Sequence, residues 1–485
     1  MGRQFPDIIV IVLDCVRAAD FQGGTHEVRP TPFFDWFRAR STLFERCVSA
    51  SSWTVPSHAS ILTGLYPDAL GSFSSANGRI PSSVPTFPEA LQGVGYATCL
   101  ISANHNLRPS LGMTRGFDRA LWARWGATSL KVGSRDERPF ESREKGRTDI
   151  TESRRPDQSS RGHWELFAHV ADLLPRYPAV LDGLSRVIQA VRCAGAPYDG
   201  RAAPWIEAAF SDWIRGVPED VPSCTLINLM DCHEPYLPNA EHVQAFKDWW
   251  RQLQNRQDVI SWSKGRWEPT PSELKALHSL YRDKIRVLDQ RVSAIINSFS
   301  KTGRWENAMV VLTSDHGQAF GEGGHLFHGS STDDAVVRVP LMVKWPEDRG
   351  AGLITDSWTS SIDICPSILT ESGVYSPHVV PGTPLQTLLT RPRQSPVFSM
   401  TEILPIPSNG NGPPKRRFEV AAFEGNRRTS LVAETSVDRV ILSEADGDQL
   451  QSLAARLVLG LEIGLESIVP REVTPGDRLR SWGYA

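Results

Sequence analysis

Three short segments carry the residues best suited to chemistry. Asp14 ends an apolar run, Thr54 lies within WTVPSHASILTGLYP at 53–67, and Asp315 and His316 lie in TSDHG at 313–317. Two carboxylates, a neutral imidazole and a hydroxyl form a donor set for Mn²⁺, Zn²⁺, Fe²⁺ or Mg²⁺. A free threonine alcohol is too weakly acidic to attack an ester near neutrality. A directly bound divalent cation favours the alkoxide and also neutralises the anionic group under attack. Arg17, three residues past Asp14, can add a guanidinium for that anion. An Asp-His pair by itself is more often a surface turn or a helix start, so its weight comes from the elements around it.

Those elements read as an α/β fold. Apolar runs recur as IIVIVL (8–13), ATCLIS (97–102), CTLINLM (224–230), MVVLTS (309–314) and PLMVKW (340–345). Their nearly continuous hydrophobicity suits strands covered on both faces, in a large, mostly parallel central sheet flanked by helices. In such sheets ligands gather beyond the carboxyl ends of the strands, where Asp14, Asn104, Asp231 and Asp315 all fall. Helices are expected at 164–174, 179–193 and 272–300, the last carrying Asp289 as a helix-face carboxylate. Residues 131–161 are dense in Arg, Glu, Ser, Asp and Lys, which predicts an exposed insertion that can serve as a lid. The expected division is a catalytic domain over 1–385 and a small C-terminal α+β subdomain over 386–485. The latter would hold an antiparallel sheet with a helix near 449–461.

Composition narrows the partners. The chain has 485 residues, 40% hydrophobic and 22% charged, with a formal net charge of −3. That balance gives no global positive field for nucleic acid, and a small molecule is the expected partner. No segment has the ~20 apolar residues that span a bilayer, and the run at 8–13 reads as a buried strand rather than a secretion signal. Seven scattered cysteines without CxxC spacing fit reduced thiols in a cytoplasm. Nothing in the sequence sets the oligomeric state.

Taken in order, Asp14 after a first strand, SxWTxPSHxSxxTGxYP, MDCHEPY at 230–236, TSDHGxxFGE at 313–322 and RVPLMV at 338–343 resemble the sulfatase-like branch of the alkaline phosphatase superfamily. Their order and spacing match over roughly residues 5–385, and RGFD at 115–118, DIxPSIL at 363–369 and MTE at 400–402 extend the likeness. The resemblance implies hydrolysis or transfer of phosphate or sulfate esters through a covalent intermediate. It puts the nucleophile at Thr54 and the metal ligands at Asp14, Thr54, Asp315 and His316. It assigns His233 and His328 to the leaving group, with His325 as a competitor for the second role. Asn104, Arg17 and His58 would meet the anion or support the nucleophile.

Two departures refine this expectation. Cys15 stands where a second metal-binding aspartate is usual, which favours one Mn, Zn or Mg ion over Ca²⁺. Cys15 itself reads as a small buried residue at a strand end, with zinc ligation the lesser alternative. His58 replaces the arginine usual after Pro-Ser. Threonine at position 54 cannot yield formylglycine, so none is expected, and the resemblance leans toward phosphoryl transfer. A sulfatase working on unmodified threonine and a catalytically silent anion- or partner-binding relative are the rival readings. For His325 and His328 the plain alternative is a Gly-rich loop with solvated imidazoles. For Arg338 it is an ion pair with Asp333 and Asp334.

Overall fold

The computed structural model describes residues 5–21, 31–75, 78–122, 202–234, 236, 268–329, 331–376, 379–403, 416–436 and 439–442. The 131–161 insertion and the helices expected at 164–174, 179–193 and 449–461 lie outside the described residues.

Strand β1 (Asp7–Leu13) is buried along its whole length and forms the spine of the molecule. Its side chains alternate between two cores: Ile8, Val10 and Val12 enter one, and Ile9, Ile11 and Leu13 the other. Full burial of each such side chain contributes about 1.5–3 kcal/mol. That is why the run at 8–13 lacks polar residues.

Around it stand β2 (Thr42–Val48), β3 (Ala97–Ser102), β4 (Arg119–Trp122), β5 (Ser223–Leu229), β6 (Ala308–Thr313), β9 (Arg338–Val339), β10 (Leu341–Lys344) and β11 (Ile354–Ser360). The nine-stranded sheet has the order β11-β2-β10-β6-β1-β5-β3-β4, with β9 paired to β2. Five strand pairs are parallel, as the hydrophobic runs predict. Strand β10 is the difference: it runs antiparallel to β6 and β2. The chain enters β10 at the edge where β6 ends, Leu341 pairing with Thr313, so it must run back. A hydrophobic run shows burial on two faces and carries no record of strand direction.

Helices α1 (Pro32–Arg38), α4 (Ala202–Gly216) and α5 (Pro271–Ser300) cover one face. Helices α2 (Thr54–Thr63), α3 (Phe87–Gly93) and α6 (Ile364–Glu371) cover the other. Helix α5 starts at a capping box between Thr270 and Glu273 and buries Leu277, Tyr281, Leu288, Val292, Ile295 and Phe299. Its Asp289 accepts from the backbone N–H groups of Phe33 (3.2 Å) and Phe34 (2.7 Å). The carboxylate thus caps α1, whose own N-cap Thr31 makes no side-chain bond.

The C-terminal antiparallel sheet has four strands: β12 (Val397–Ile403), β13 (Arg416–Glu424), β14 (Arg427–Ser436) and β15 (Arg439–Leu442). Strand β12 docks beside α2: Met400 N–H donates to Ala50 O (2.8 Å) and Glu402 N–H to Phe73 O (2.9 Å). Two further short strands, β7 (Ala319–Phe320) and β8 (Leu326–Phe327), form a hairpin beyond β6. The six described cysteines are buried free thiols. Among the described residues no helix is long and apolar enough to cross a membrane.

Candidate active site

Register brings the chemistry to one edge of the sheet. Val12 pairs with Thr313 of β6 and with Asn228 of β5, and Asn228 pairs with Ser102 of β3. Asp14, Asp315, Met230–Glu234 and Asn104 therefore leave the strands at neighbouring carboxyl ends. Asp231, which also follows a strand, is held instead by Arg291 Nε at 2.8 Å.

Helix α2 points its start at this edge. Trp53 is extended at φ −122°, no side chain caps the helix, and Thr54 opens its first turn. The N–H groups and dipole of that turn lend positive potential to the Thr54 hydroxyl. Thr54 Oγ1 lies 3.4 Å from His316 Nε2. One turn on, Ser57 Oγ donates to Asp315 O at 2.6 Å and ties the helix to the loop after β6. Trp53 Nε1 donates to Glu402 O at 3.0 Å, so the C-terminal sheet also braces the start of α2. Gly329, at φ +75°, packs against the Trp53 ring, where a Cβ would fall 2.3 Å from ring carbons.

Both site carboxylates are buried. Asp14 accepts from Asn104 Nδ2 at 2.9 Å and from the Cys15 thiol at 3.2 Å. Burial works to raise its pKa, but His233 and His316 outweigh it and hold the carboxyl below its ordinary value. Asp315 goes the other way: burial, then the nearby Asp14 charge, push it up to about 7. Its Oδ1 accepts from His316 N–H (2.8 Å) and Cys15 N–H (3.3 Å), while Oδ2 has no hydrogen-bond partner among the described residues. A buried carboxylate oxygen without a donor, beside a second carboxylate, is a site that a cation would satisfy. The donors fit such an ion. His316 Nδ1 donates to Gly317 O at 3.0 Å, which leaves Nε2 as the free lone pair, and burial keeps the ring neutral by lowering its pKa. Donor atoms of Asp14, Cys15 and His316 lie within 4.8 Å of one another.

A second layer of imidazoles stands over this group. His328 stacks on His316 with ring centroids 4.5 Å apart, meets His233 edge-on at 5.0 Å, and abuts Trp53 at 5.8 Å. His328 Nδ1 donates to Gln318 Oε1 at 2.9 Å. Burial, then His316 and His233, push its pKa well down. His233 Nδ1 donates to Glu234 O at 2.7 Å. Burial opposes charge on this ring, but Glu234 and Asp14 carry its pKa above the ordinary value.

Sequence reasoning missed Glu234 and Gln318. Gln318 Nε2 donates to Glu234 Oε2 and to Tyr236 OH, both at 2.6 Å. The available signal was adjacency, since Glu234 follows His233 and Gln318 lies two residues past His316. Cys15 is buried as expected, and it is also held at φ +65°, a left-handed conformation that non-glycine residues seldom adopt. Burial and the carboxylate of Asp14 push its thiol pKa well up.

Four expected anion contacts are engaged elsewhere. Arg17 Nη1 pairs with Glu322 at 2.7 Å and its Nε with Asp20 at 3.1 Å, because two acidic side chains lie closer to it than the cluster does. His58, in the second turn of α2, is fully buried. Its Nδ1 donates to Thr54 O (2.9 Å) and lies 3.6 Å from Asp315 Oδ2, and its Nε2 faces Asn228 Nδ2 at 3.5 Å. Asn104 spends its amide on Asp14. His325 is one-third exposed and lies 3.7 Å from Asp333, outside the histidine cluster. The ion pair expected of Arg338 also differs: Asp333 and Asp334 pair with Arg428, while Arg338 donates to Glu45 O and lies over Trp358.

Two solved structures share the fold. The phosphonate monoester hydrolase of Agrobacterium radiobacter superposes with a TM-score of 0.57 over 94% of both chains, at 16% identity. A protein solved with its substrate D-glucosamine-2-N,6-O-disulfate superposes with a TM-score of 0.59 over 97% of this chain and 100% of its own, also at 16% identity. The molecule has the architecture of the sulfatase-like branch of the alkaline phosphatase superfamily.

Sequence similarity then narrows the class. Mouse (Mus musculus) steryl-sulfatase is 24% identical over 79% of this chain, which spans 65% of that relative's length. Choline-sulfatase of Rhizobium meliloti is 21% identical over 78% of this chain and 70% of its own. The Sulfatase family profile matches residues 6–374, and the chain belongs to that family.

Proposed function

We propose that this protein is a metal-dependent hydrolase or transferase in which Thr54 attacks a phosphate ester in line and forms a covalent threonine ester. The observation that carries the reading is the threonine hydroxyl itself. It opens helix α2, is buried, and points within 3.4 Å of His316 Nε2, beside two carboxylates that no lysine or arginine pairs with among the described residues. Asp14, Asp315, His316 and Thr54 would hold one divalent cation of the Mn, Zn or Mg kind. When bound, that ion lowers the pKa of the hydroxyl and neutralises the anionic ester.

The protein's own groups do the rest. Thr54 Oγ1 gives its proton to water and forms the bond to phosphorus, while the bond from phosphorus to the leaving oxygen breaks and that oxygen takes a proton from one of the two imidazoles, His233 or His328. His233 and His328, whose rings lie 5.0 Å apart, serve the departing oxygen. Water or an acceptor alcohol then cleaves the threonine ester and restores the hydroxyl. His58, bonded to Thr54 O and close to Asp315, keeps the first turn of α2 seated. Threonine is a secondary alcohol, so it cannot be oxidised to an aldehyde, and the nucleophile acts unmodified. The names of the sulfatase relatives support a second reading with the same residues, a sulfuric ester hydrolase.

Initial rates with an aryl phosphate, an aryl phosphodiester and an aryl sulfate, on wild type and Thr54→Ala of known metal content, separate these readings. Faster phosphate or diester cleavage that depends on Thr54 is the expected result. Faster sulfate cleavage moves the substrate to sulfate, and full activity in Thr54→Ala removes the nucleophile assignment.

A further inference from the structure

His328 stands where the β7–β8 hairpin ends. That hairpin consists of two residue pairs, Ala319 with Phe327 and Phe320 with Leu326, too few to hold a ring in place by themselves. The chain reaches His328 through Phe327, a buried residue at φ +66°, in the left-handed region that bulky side chains seldom adopt. A backbone in that state persists only where its surroundings fix it, and such residues gather at functional sites.

The groups that fix the hairpin begin at its exposed tip. Glu322 opens the tight turn between the two strands, and its carboxylate bridges two partners. Oε1 accepts from Arg17 Nη1 at 2.7 Å, and Oε2 accepts from the Phe320 N–H at 2.5 Å. Burial works to raise the Glu322 pKa, but Arg17 outweighs it, so both members of the pair are charged. Arg17 is itself anchored to the end of β1 and to helix α5. Its N–H donates to Tyr281 OH at 2.9 Å, that hydroxyl donates to Cys15 O at 3.0 Å, and the guanidinium Nε lies 3.1 Å from Asp20. The guanidinium also lies 5.7 Å from the Phe320 ring, which stacks on His278 of α5 at 4.7 Å. The Arg17 stem runs past Gly317, where a Cβ would fall 3.3 Å from Arg17 Cγ. At the base of the hairpin Gln318 Oε1 accepts the His328 Nδ1 proton at 2.9 Å, which leaves Nε2 for the departing oxygen. Arg17 thus meets both the segment that carries His316 and the hairpin that carries His328, and those two rings stack 4.5 Å apart.

We propose that Arg17 and Glu322 are positioning residues for the leaving-group imidazole: their ion pair holds the β7–β8 hairpin, and through it the His328 ring, against His316. The inference rests on the proposed role of His328, and it gives Arg17 a task other than contact with the anion. An ion pair at a part-exposed tip adds little to global stability, so its effect falls on geometry. A shift of about 1 Å in a catalytic group can cost 10²-fold in rate.

The test compares kcat/KM of metal-loaded full chain on a 4-nitrophenyl phosphate ester and an alkyl phosphate ester, because only the alkoxide needs a proton from the protein. His328→Ala is expected to lose about 10²-fold on the alkyl ester and far less on the nitrophenyl ester. Glu322→Ala is expected to lose about tenfold on the alkyl ester and less than threefold on the nitrophenyl ester. In the His328→Ala background the same change should add nothing, and Arg17→Lys should retain more alkyl-ester activity than Arg17→Met. A second readout is free of turnover: the downfield proton resonance of His328 Nδ1–H, assigned by its loss in His328→Gln, should shift or broaden in Glu322→Ala. Equal losses on the two esters in Glu322→Ala, additive losses in the double variant, or an unchanged His328 resonance would each overturn the assignment. If wild type cleaves neither ester, the proposed function falls, and the resonance alone decides whether the ion pair holds the ring.

Discussion

The two ends of β1 bury the same side chain in opposite ways. Asp7, at its start, is 1% exposed and accepts from Ser223 N–H and Ser223 Oγ, both at 2.8 Å, and from Arg304 Nη1 at 3.0 Å. Arg304 completes the knot by donating to Val217 O, Pro218 O and Val221 O. Nearby, Lys344 donates to the carbonyls of Trp305 and Glu306. At the other end Asp14 is equally buried, yet its neighbours are an amide, a thiol, imidazoles and another carboxyl group. A buried charge with a guanidinium partner is architecture. One that faces a like charge and an unpartnered oxygen is poised for a ligand.

Thr54→Ala strikes the functional end hardest. Removal of a covalent nucleophile costs at least about 10³-fold in kcat/KM. Stability should barely change, because the residue opens a helix whose packing lies further along. Purified Thr54→Ala that folds, binds metal and turns over within tenfold of wild type would dissolve the functional side of the comparison.

Arg304→Met strikes the structural end. It leaves Asp7 buried without its cation, at a cost of about 3–5 kcal/mol. Urea unfolding reads that loss, and kcat/KM per folded molecule should stay near wild type. A large drop in activity with unchanged stability would mean that the two ends are not separate devices.

A pH series on metal-free protein sharpens the contrast. The carboxyl of Asp315 is raised from an ordinary 3.8 to about 7. Between those values the folded chain binds more protons than the unfolded one, so this group's contribution to stability falls as pH rises through that window and levels off above it. Asp315→Asn should flatten the fall. Saturating divalent cation should reverse it, adding about 2.7 kcal/mol at a hundredfold excess over Kd. A metal-free melting curve that rises steadily from pH 4 to 7, unchanged in Asp315→Asn, would contradict this.

How much of this was legible beforehand depends on the kind of information a residue carries. The runs at 8–13, 97–102, 224–230 and 309–314 announced strands because burial on two faces demands uninterrupted apolar side chains. Strand β2 did not, since Glu45 and Arg46 break its pattern where it becomes exposed. The direction of β10 was invisible for a topological reason. Asp14, Thr54, Asp315 and His316 could be singled out because each motif has its own local signature. Arg17 and His58 were read by what their side chains can do. Their actual neighbours, Asp20, Glu322 and Asn228, are set by packing across the fold. Glu234 and Gln318 lay in plain view inside recognised segments, but what distinguishes them is their meeting, 84 residues apart in sequence.

Asn104 gives the smallest expected effect and the finest distinction. Sequence reading placed it toward the anion, whereas its Nδ2 donates to Asp14 Oδ2 and its Oδ1 accepts from Asn106 N–H. In that position it orients the Asp14 carboxylate, as Ser223 and Arg304 orient Asp7 at the opposite end. Loss of such a partner typically weakens metal affinity 10–100-fold. Asn104→Ala should therefore raise the metal Kd by about that factor, and KM measured at saturating metal should move less than threefold. If KM rises tenfold while the metal Kd stays put, the amide serves the substrate directly, and the Cys15 thiol suffices to hold Asp14.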